Sequence, residues 1–360
     1  MKRSTIKFML DKAKFAYLWV DRILLAPNHF GVSLPERVRF ALKGYMPDQY
    51  ALYDFAHKDA EAYLSEYDWY HSRDINEPFG PLFNNKVICA EFLKTFASVP
   101  ESLMLKNNGW YVFMDGAEQA LGREGLAEQF GAAADAVEMV KTGSGVFMKP
   151  ISLGKGEGVH RLDYGDEGFL IDGKFASEAN LVSLFESSDG YFLSQAVSQH
   201  PFLAQIFPDA ANTMRVITVR DPKTGEYRVL FAVLRIGTSE TAPVDNGSRG
   251  GLVANIDLET GELSEARTLH SLAVHAMHPD TKTRIKGAVV PSWEAVKAET
   301  LRMARHIPYA HFIAWDVLLT EMGVSVIEAN TSSGVNIVQL WGPQRHGPLG
   351  DFYRAHGVID

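Results

Sequence analysis

The chain has 360 residues, enough for two or three domains and a substantial core, and its 46% apolar and 22% charged residues are ordinary for a globular protein. Its 35 Lys and Arg against 44 Asp and Glu leave a net charge of −9. That balance argues against a nucleic-acid partner held by a broad basic face, but not against a local cluster of cations around one small phosphorylated ligand. A single cysteine, Cys89, excludes an intrachain disulfide and a cysteine-based zinc site, and points to a reducing compartment. Its apolar run, Val87 to Ala90, reads as the seat of a buried, inert thiol.

The chain opens Met1-Lys2-Arg3, but Lys7, Asp11, Lys12 and Lys14 break the apolar run that a signal peptide requires. The stretch from Phe15 to Ala26 carries Asp21 and Arg22 and is too short to span a bilayer. A basic amphipathic helix over residues 1–25 is able to rest weakly on a membrane surface, although packing against its own domain is the commoner use of such a helix. Residues 1–95 read as a mostly helical region punctuated at Met46-Pro47-Asp48 and Glu77-Pro78-Phe79-Gly80-Pro81. Nine aromatics between Phe40 and Tyr70 make it unusually rich in rings, suited either to a core or to recognition of an acceptor.

From about residue 96 strands alternate with short helices. Gly145 to Pro150 reads as a strand ending near Lys149, and Phe169 to Phe175 as part of a hairpin. Ser177 to Ser187 reads as a helix with Ser177 as N-cap and Asn180 in the partner position. Tyr191 to Val197 is a strand. Arg215 to Arg220 and Arg228 to Ile236 pair through the turn Asp221 to Gly225. Trp293 to His306 is an amphipathic helix, and the strands Phe312 to Thr320 and Gly323 to Ala329 close the chain. The organisation is α+β: a helical region 1–95, a first lobe 96–195 with a glycine-rich lid, and a second lobe 196–360.

The most informative residues are Asp316, within one apolar strand, and Glu328, which ends the next. Antiparallel pairing brings the two carboxylates to one face, and Asn330 shares the parity of Glu328. Two acids and an amide oxygen form an oxygen-only site suited to Mg²⁺, whereas incidental acids on a solvated hairpin are the plain alternative. Lys149 is delivered by a strand into Ser152-Leu153-Gly154-Lys155-Gly156-Glu157-Gly158, where glycines let backbone N–H groups approach phosphate oxygens or let a lid move. Taken alone, such a stretch is more often only a loop. Gln195, Ala196 and Val197 are placed to line a purine slot with their backbone groups, or simply to continue a core strand.

The order of these pieces resembles the ATP-grasp superfamily. Asn85-Lys86 opening a helix is similar to the family's first phosphate lysine, and Phe147-Met148-Lys149-Pro150 to its second. Ser152 to Gly158 resembles the phosphate-covering loop, and Ser194 to Val197 the adenine hinge. Asn212-Thr213-Met214-Arg215-Val216 looks like the strand with a phosphate-facing arginine, and Asn246-Gly247-Ser248-Arg249-Gly250-Gly251 like a catalytic loop. Asp316, Glu328 and Asn330 match the magnesium ligands in type, order and spacing. The resemblance covers about residues 85–340. It is closest to the bacterial sugar-transfer-associated branch, which Ser198-Gln199-His200-Pro201 and Ala314-Trp315-Asp316 support. Ala314 stands where many such ligases have an arginine, and the helical region replaces the usual leading α/β domain.

The resemblance implies an ATP-grasp fold, two α+β lobes clamping ATP with a helical N-terminal extension. It implies a cytoplasmic ligase that uses ATP and Mg²⁺, with Mn²⁺ able to substitute. A small-molecule carboxylate, activated as an acyl phosphate, is attacked by an amine, with substrates tied to surface-polysaccharide or peptide-like metabolite synthesis and sugar-linked in some cases. Arg215, Arg249 and Arg235 are the candidates for the transferring phosphoryl group. Lys86, Lys149, Ser152, Gly154, Gly156, Gly158, Gln195, Ala196 and Val197 are those for the nucleotide. A kinase acting on a sugar hydroxyl, and a non-catalytic nucleotide-binding accessory protein, are the alternatives.

Overall fold

A computed structural model of the chain describes residue 13 and residues 15–121, 130–154 and 156–360. Most of the N-terminal stretch expected to be amphipathic, residues 1–12 and 14, lies outside the described residues, as does Lys155 of the glycine-rich loop.

Fifteen strands are described: β1 Ser102–Asn107, β2 Trp110–Phe113, β3 Phe130–Gly131, β4 Val146–Pro150, β5 His160–Gly165, β6 Gly168–Ile171, β7 Lys174–Ala176, β8 Tyr191–Gln195, β9 Met214–Arg220, β10 Tyr227–Ile236, β11 Leu252–Ile256, β12 Leu263–Arg267, β13 Val274–His275, β14 Phe312–Thr320 and β15 Gly323–Asn330. They form two antiparallel sheets, ordered β3-β2-β1-β8-β4-β5-β6-β7 and β13-β12-β11-β10-β9-β14-β15. Together with the helices this is an α+β architecture.

The first sheet packs one face on two helices. Ala133–Thr142 presents Val137 and Val140, and Glu178–Ser187 presents Leu181 and Phe185, against Val146, Met148, Leu162 and Leu193. The second of these helices starts where expected, with Ser177 accepting from the Asn180 N–H and the Asn180 side chain reaching back. Strand alternation then decides the other face. With Val146 and Met148 turned into the core, Phe147 and Lys149 of β4 point away from it, as do Phe192 and Ser194 of β8, which lie opposite Lys149 and Phe147 in register.

The second sheet is covered on both sides. Met214, Val216, Ala232, Leu234, Trp315 and Val317 meet the helices Trp293–Arg305, Pro201–Ile206 and Lys86–Leu93. Ile217, Val219, Phe312 and Ala314 meet Leu64 and the C-terminal helix Pro348–Ala355. Burial on both faces explains why Phe312 to Leu319 reads as a near-continuous apolar run broken only at Asp316. Within the helical region Phe40, Tyr45, Tyr53, Phe55 and Tyr63 form their own buried cluster, so these five rings are core rather than recognition surface.

Candidate active site

Three adjacent strands place one charge each at the same level. Asp316 of β14 lies directly opposite Arg215 of β9 on one side and Glu328 of β15 on the other. Asp316 accepts from Arg215 through both Nε and Nη2, and from Arg235 Nη1 at 2.9 Å. Arg235 continues to Asp245, with Nη2 donating to Oδ1 at 2.5 Å, and the other Asp245 oxygen accepts from the Thr213 N–H and hydroxyl. Burial penalises the charge on Asp316, but the two guanidinium groups outweigh it and hold its carboxyl below the usual range. Asp245 has one arginine and is as deeply buried, so burial wins and its carboxyl is raised. Arg235 is desolvated too, yet Asp245 and Asp316 more than offset this and hold it charged.

A second group of cations faces this row. Asn85 caps the helix Lys86–Leu93 by accepting from the Val87 and Ile88 N–H groups, which fixes Lys86 at its first turn. Lys86 Nζ donates to Glu328 Oε1 at 3.0 Å and to the Leu153 carbonyl at 2.7 Å, joining helix, loop and β15. Lys149 lies over the Phe147 ring at 5.3 Å. Desolvation pulls its ammonium down to about 8, against the attraction of Glu328 and with the help of Lys86.

Between the sheets these residues open onto a cleft of about 1210 Å³, mouth included, lined by Lys86, Lys149, Gly156, Gln195, Val197, Arg235, Asp316 and Glu328. Its apolar lining includes Phe147 and Phe192 of the first sheet and Leu318, Val326 and Ile327 of the second. The Ser194 hydroxyl on that wall is buried and has no partner among the described residues. At the hinge the N–H groups of Gln195 and Ala196 are taken by Glu101 and Gly145 carbonyls, whereas no protein partner takes that of Val197 among the described residues.

The glycine-rich loop roofs this region. Gly156 and Gly158 both have φ near +65°, a backbone state that side chains rarely adopt. The Gly156 carbonyl accepts from Arg249 Nη1 at 3.1 Å. Ser152 and Gly154 are exposed beside it. Arg215, Arg249, Asn330, Ser152, Gly154, Gly158 and Ala196 do not form the cleft wall. Arg215 is turned to Asp316 and Ser333, and Asn330 lies opposite Ala314 with its Nδ2 buried and without a partner among the described residues.

Sequence reasoning did not single out Asp245, Thr213 or Ser194 as cleft residues, although Thr213 stood inside the Asn-Thr-Met-Arg run and Ser194 opened the segment matched to the hinge. Cys89 also lines the cleft, one helical turn after Lys86, and burial pushes its thiol up to about 12, consistent with an inert wall. Among the described residues no three His, Cys, Asp or Glu side chains converge.

Among solved structures the chain is similar to N5-carboxyaminoimidazole ribonucleotide synthetase from Thermotoga maritima, with 12% identity, 70% of this chain and 42% of that one covered, and a TM-score of 0.33. It is also similar to the VanG D-Ala:D-Ser ligase from Enterococcus faecalis, with 12% identity, 77% and 58% covered, and a TM-score of 0.38. For D-alanyl-alanine synthetase A from Vibrio cholerae the values are 12%, 78% and 66%, and 0.40. The chain thus spans less than two thirds of the length of the first structures it matches. No curated protein gives a significant sequence match. The family model described as sugar-transfer associated ATP-grasp matches residues 69–345, a span that takes in both sheets from β1 to β15 and every cleft residue named above. The chain belongs to the sugar-transfer associated ATP-grasp family.

Proposed function

We propose that this chain is an ATP- and Mg²⁺-dependent ligase that activates a small-molecule carboxylate as an acyl phosphate for attack by an amine. One observation carries the reading: Lys86, Lys149, Arg235, Asp316 and Glu328, from five elements, line one cleft together with Phe147 and Phe192. Cations and aromatic walls in one cleft are what a nucleoside triphosphate requires. In this reading Lys86, Lys149 and the backbone from Ser152 through Gly154, Gly156 and Gly158 hold the phosphates. Gln195, Ala196 and Val197 frame the adenine, with the Val197 N–H free to donate to it.

The residues present fit a divalent cation. Asp316 and Glu328 are cross-strand partners on one cleft wall, and the orphaned buried amide of Asn330 adds a third polar group, whose O and N assignment is interchangeable. Those three would hold Mg²⁺, or Mn²⁺ in its place, and the ion would supply charge neutralisation at the terminal phosphate. Arg235 faces the same space. Arg215, bonded to Asp316, and Arg249, bonded to the Gly156 carbonyl, are the further candidates for the transferred phosphoryl group. The family's description supports a sugar-linked substrate in surface-polysaccharide synthesis, and a need for ATP supports the cytoplasm. The break between the sheets supports lobes at 96–195 and 196–360 behind a helical region 1–95.

A thermal-shift titration tests the site. ATP with Mg²⁺ should raise the unfolding midpoint of the wild type, and Lys149→Ala and Asp316→Asn should each lose most of that rise relative to their own ligand-free midpoints. No rise in the wild type would sink the nucleotide reading. ADP release that needs a hydroxyl acceptor but no amine would replace the ligase with a kinase.

A further inference from the structure

Of the three candidate arginines only Arg235 lines the cleft. Arg215 gives Nε and Nη2 to Asp316 and Nη1 to Ser333, and Arg249 is exposed, donating to the Gly156 carbonyl. Arg235 is held differently. Its Nη1 donates to Asp316 at 2.9 Å and its Nη2 to Asp245 at 2.5 Å, so a carboxylate grips each end of the fork. Those bonds use two of the five N–H groups of a guanidinium, which leaves donors for an oxygen in the cleft.

Asp245 is itself a fixed point. It is only 5% exposed. One of its oxygens accepts from Arg235 and the other from the Thr213 N–H and hydroxyl at the head of β9, so both are engaged. Its backbone is packed as closely: a Cβ built on Gly251 would lie 2.8 Å from the Asp245 carbonyl oxygen. The N–H groups of Arg249 and Gly251 both donate to the Asn246 carbonyl, at 3.0 and 3.1 Å, and close the loop beside it. The preceding residue, Val244, meets the glycine-rich loop, where a Cβ built on Gly156 would be 3.3 Å from its Cγ2. A buried acid is a poor stabiliser beside an apolar side chain of similar size, because desolvation offsets most of what its ion pair returns. One that grips a cleft arginine from a rigid loop is better suited to aiming that arginine than to holding the fold.

We infer that Asp245 is a positioning residue that holds the Arg235 guanidinium at the terminal phosphate of a bound triphosphate, and so sets a preference for ATP over ADP. This rests on the nucleotide reading given above. With Asp245 on Nη2, the guanidinium is kept between two acids instead of being drawn wholly onto Asp316. Its free donors then face the cleft in one fixed orientation, which is what recognition of a single phosphoryl group needs. The sign of the effect separates this role from simple charge. Removing a negative group from the cleft wall by itself favours every polyanion, ADP included, whereas loss of aim weakens only the ligand that reaches Arg235.

Calorimetric titration of the full chain with the β,γ-imido analogue of ATP and with ADP, at one Mg²⁺ concentration, tests this. The wild type should bind the triphosphate more tightly. Asp245→Asn, which keeps the shape of the side chain, should lower the ratio of triphosphate to diphosphate affinity by about tenfold, with ADP little changed. Adding Arg235→Met to it should lower the ratio little further, because the two residues act as one. Thr213→Val keeps both charges and removes only the hydroxyl bond to Asp245, so it should move the ratio the same way by a smaller factor. It carries the test if Asp245→Asn does not fold. An unchanged ratio in whichever of these variants folds would overturn the inference, as would equal weakening or equal strengthening of both nucleotides. A wild type that binds the two nucleotides equally would overturn it too. Binding of neither nucleotide by the wild type is a different failure: it would sink the nucleotide reading itself, and this inference with it.

Discussion

Lys149 is the cleft residue whose charge is least supported by its neighbours. It is held on the pocket side of β4 beside a phenyl ring and a second ammonium, with no carboxylate in hydrogen-bond contact among the described residues. Its pKa of about 8 lies below the ordinary 10.5, so between those values the folded chain binds fewer protons than the unfolded one. Ligand-free stability is therefore penalised below pH 8 and rises as pH climbs through that window. A bound triphosphate reverses the preference, because it favours the charged form. Nucleotide binding at about pH 9 should take up a proton, and affinity should fall as pH rises above 8. Calorimetry in buffers of different ionisation enthalpy measures that uptake. Lys149→Met should abolish it and leave the ligand-free protein at least as stable at neutral pH. If the wild type binds ATP with no proton uptake, Lys149 does not face the phosphates.

The loop between β4 and β5 shows how a short element depends on glycine. At Gly158, φ is +68°, and a Cβ built there would lie 2.7 Å from the Tyr191 hydroxyl of β8. Gly158→Ala should therefore cost about 1–2 kcal/mol from the left-handed backbone alone, plus the contact with Tyr191. Denaturant unfolding reads the loss, and a Tyr191→Phe background should recover the contact part but not the backbone part. Full recovery would mean that the backbone at 158 is unstrained. The elements that carry this chemistry were legible because each announces itself locally. β4 and β8 alternate, Asn85 precedes an apolar helix, and β14 is an apolar run with one acid in it. Asp245 had no such signal. It sits in an irregular loop, and its role comes from Arg235 and Thr213, which only the packed sheet brings to it. Ser194 was legible only as the first residue of the hinge segment, and its place on the cleft wall comes from the packed sheets.

Across the whole molecule, the helical region is fastened to the second sheet by polar clamps on an apolar seat. Leu64 packs among Ile217, Val219, Phe312 and Ala314, and its backbone N–H and carbonyl both bond the Gln339 side chain, at 2.7 and 2.9 Å. Asn76, also buried, donates to the Phe312 carbonyl at 2.6 Å and accepts from the His311 and Phe312 N–H groups at 2.8 and 3.2 Å. Those contacts close the first residue of β14, four positions before Asp316. The region is thus part of the wall behind the candidate site rather than an appendage, and it should unfold with the second sheet as one unit. Asn76→Ala leaves the Phe312 carbonyl and two N–H groups at the head of β14 without this partner. The expected cost is about 1–3 kcal/mol for each group that stays buried and unpaired. The midpoint should fall in a single transition by circular dichroism and by tryptophan fluorescence alike, with the ATP-induced rise preserved. An early separate transition in the variant would show instead that the helical region melts on its own and that the clamp holds two independent bodies together.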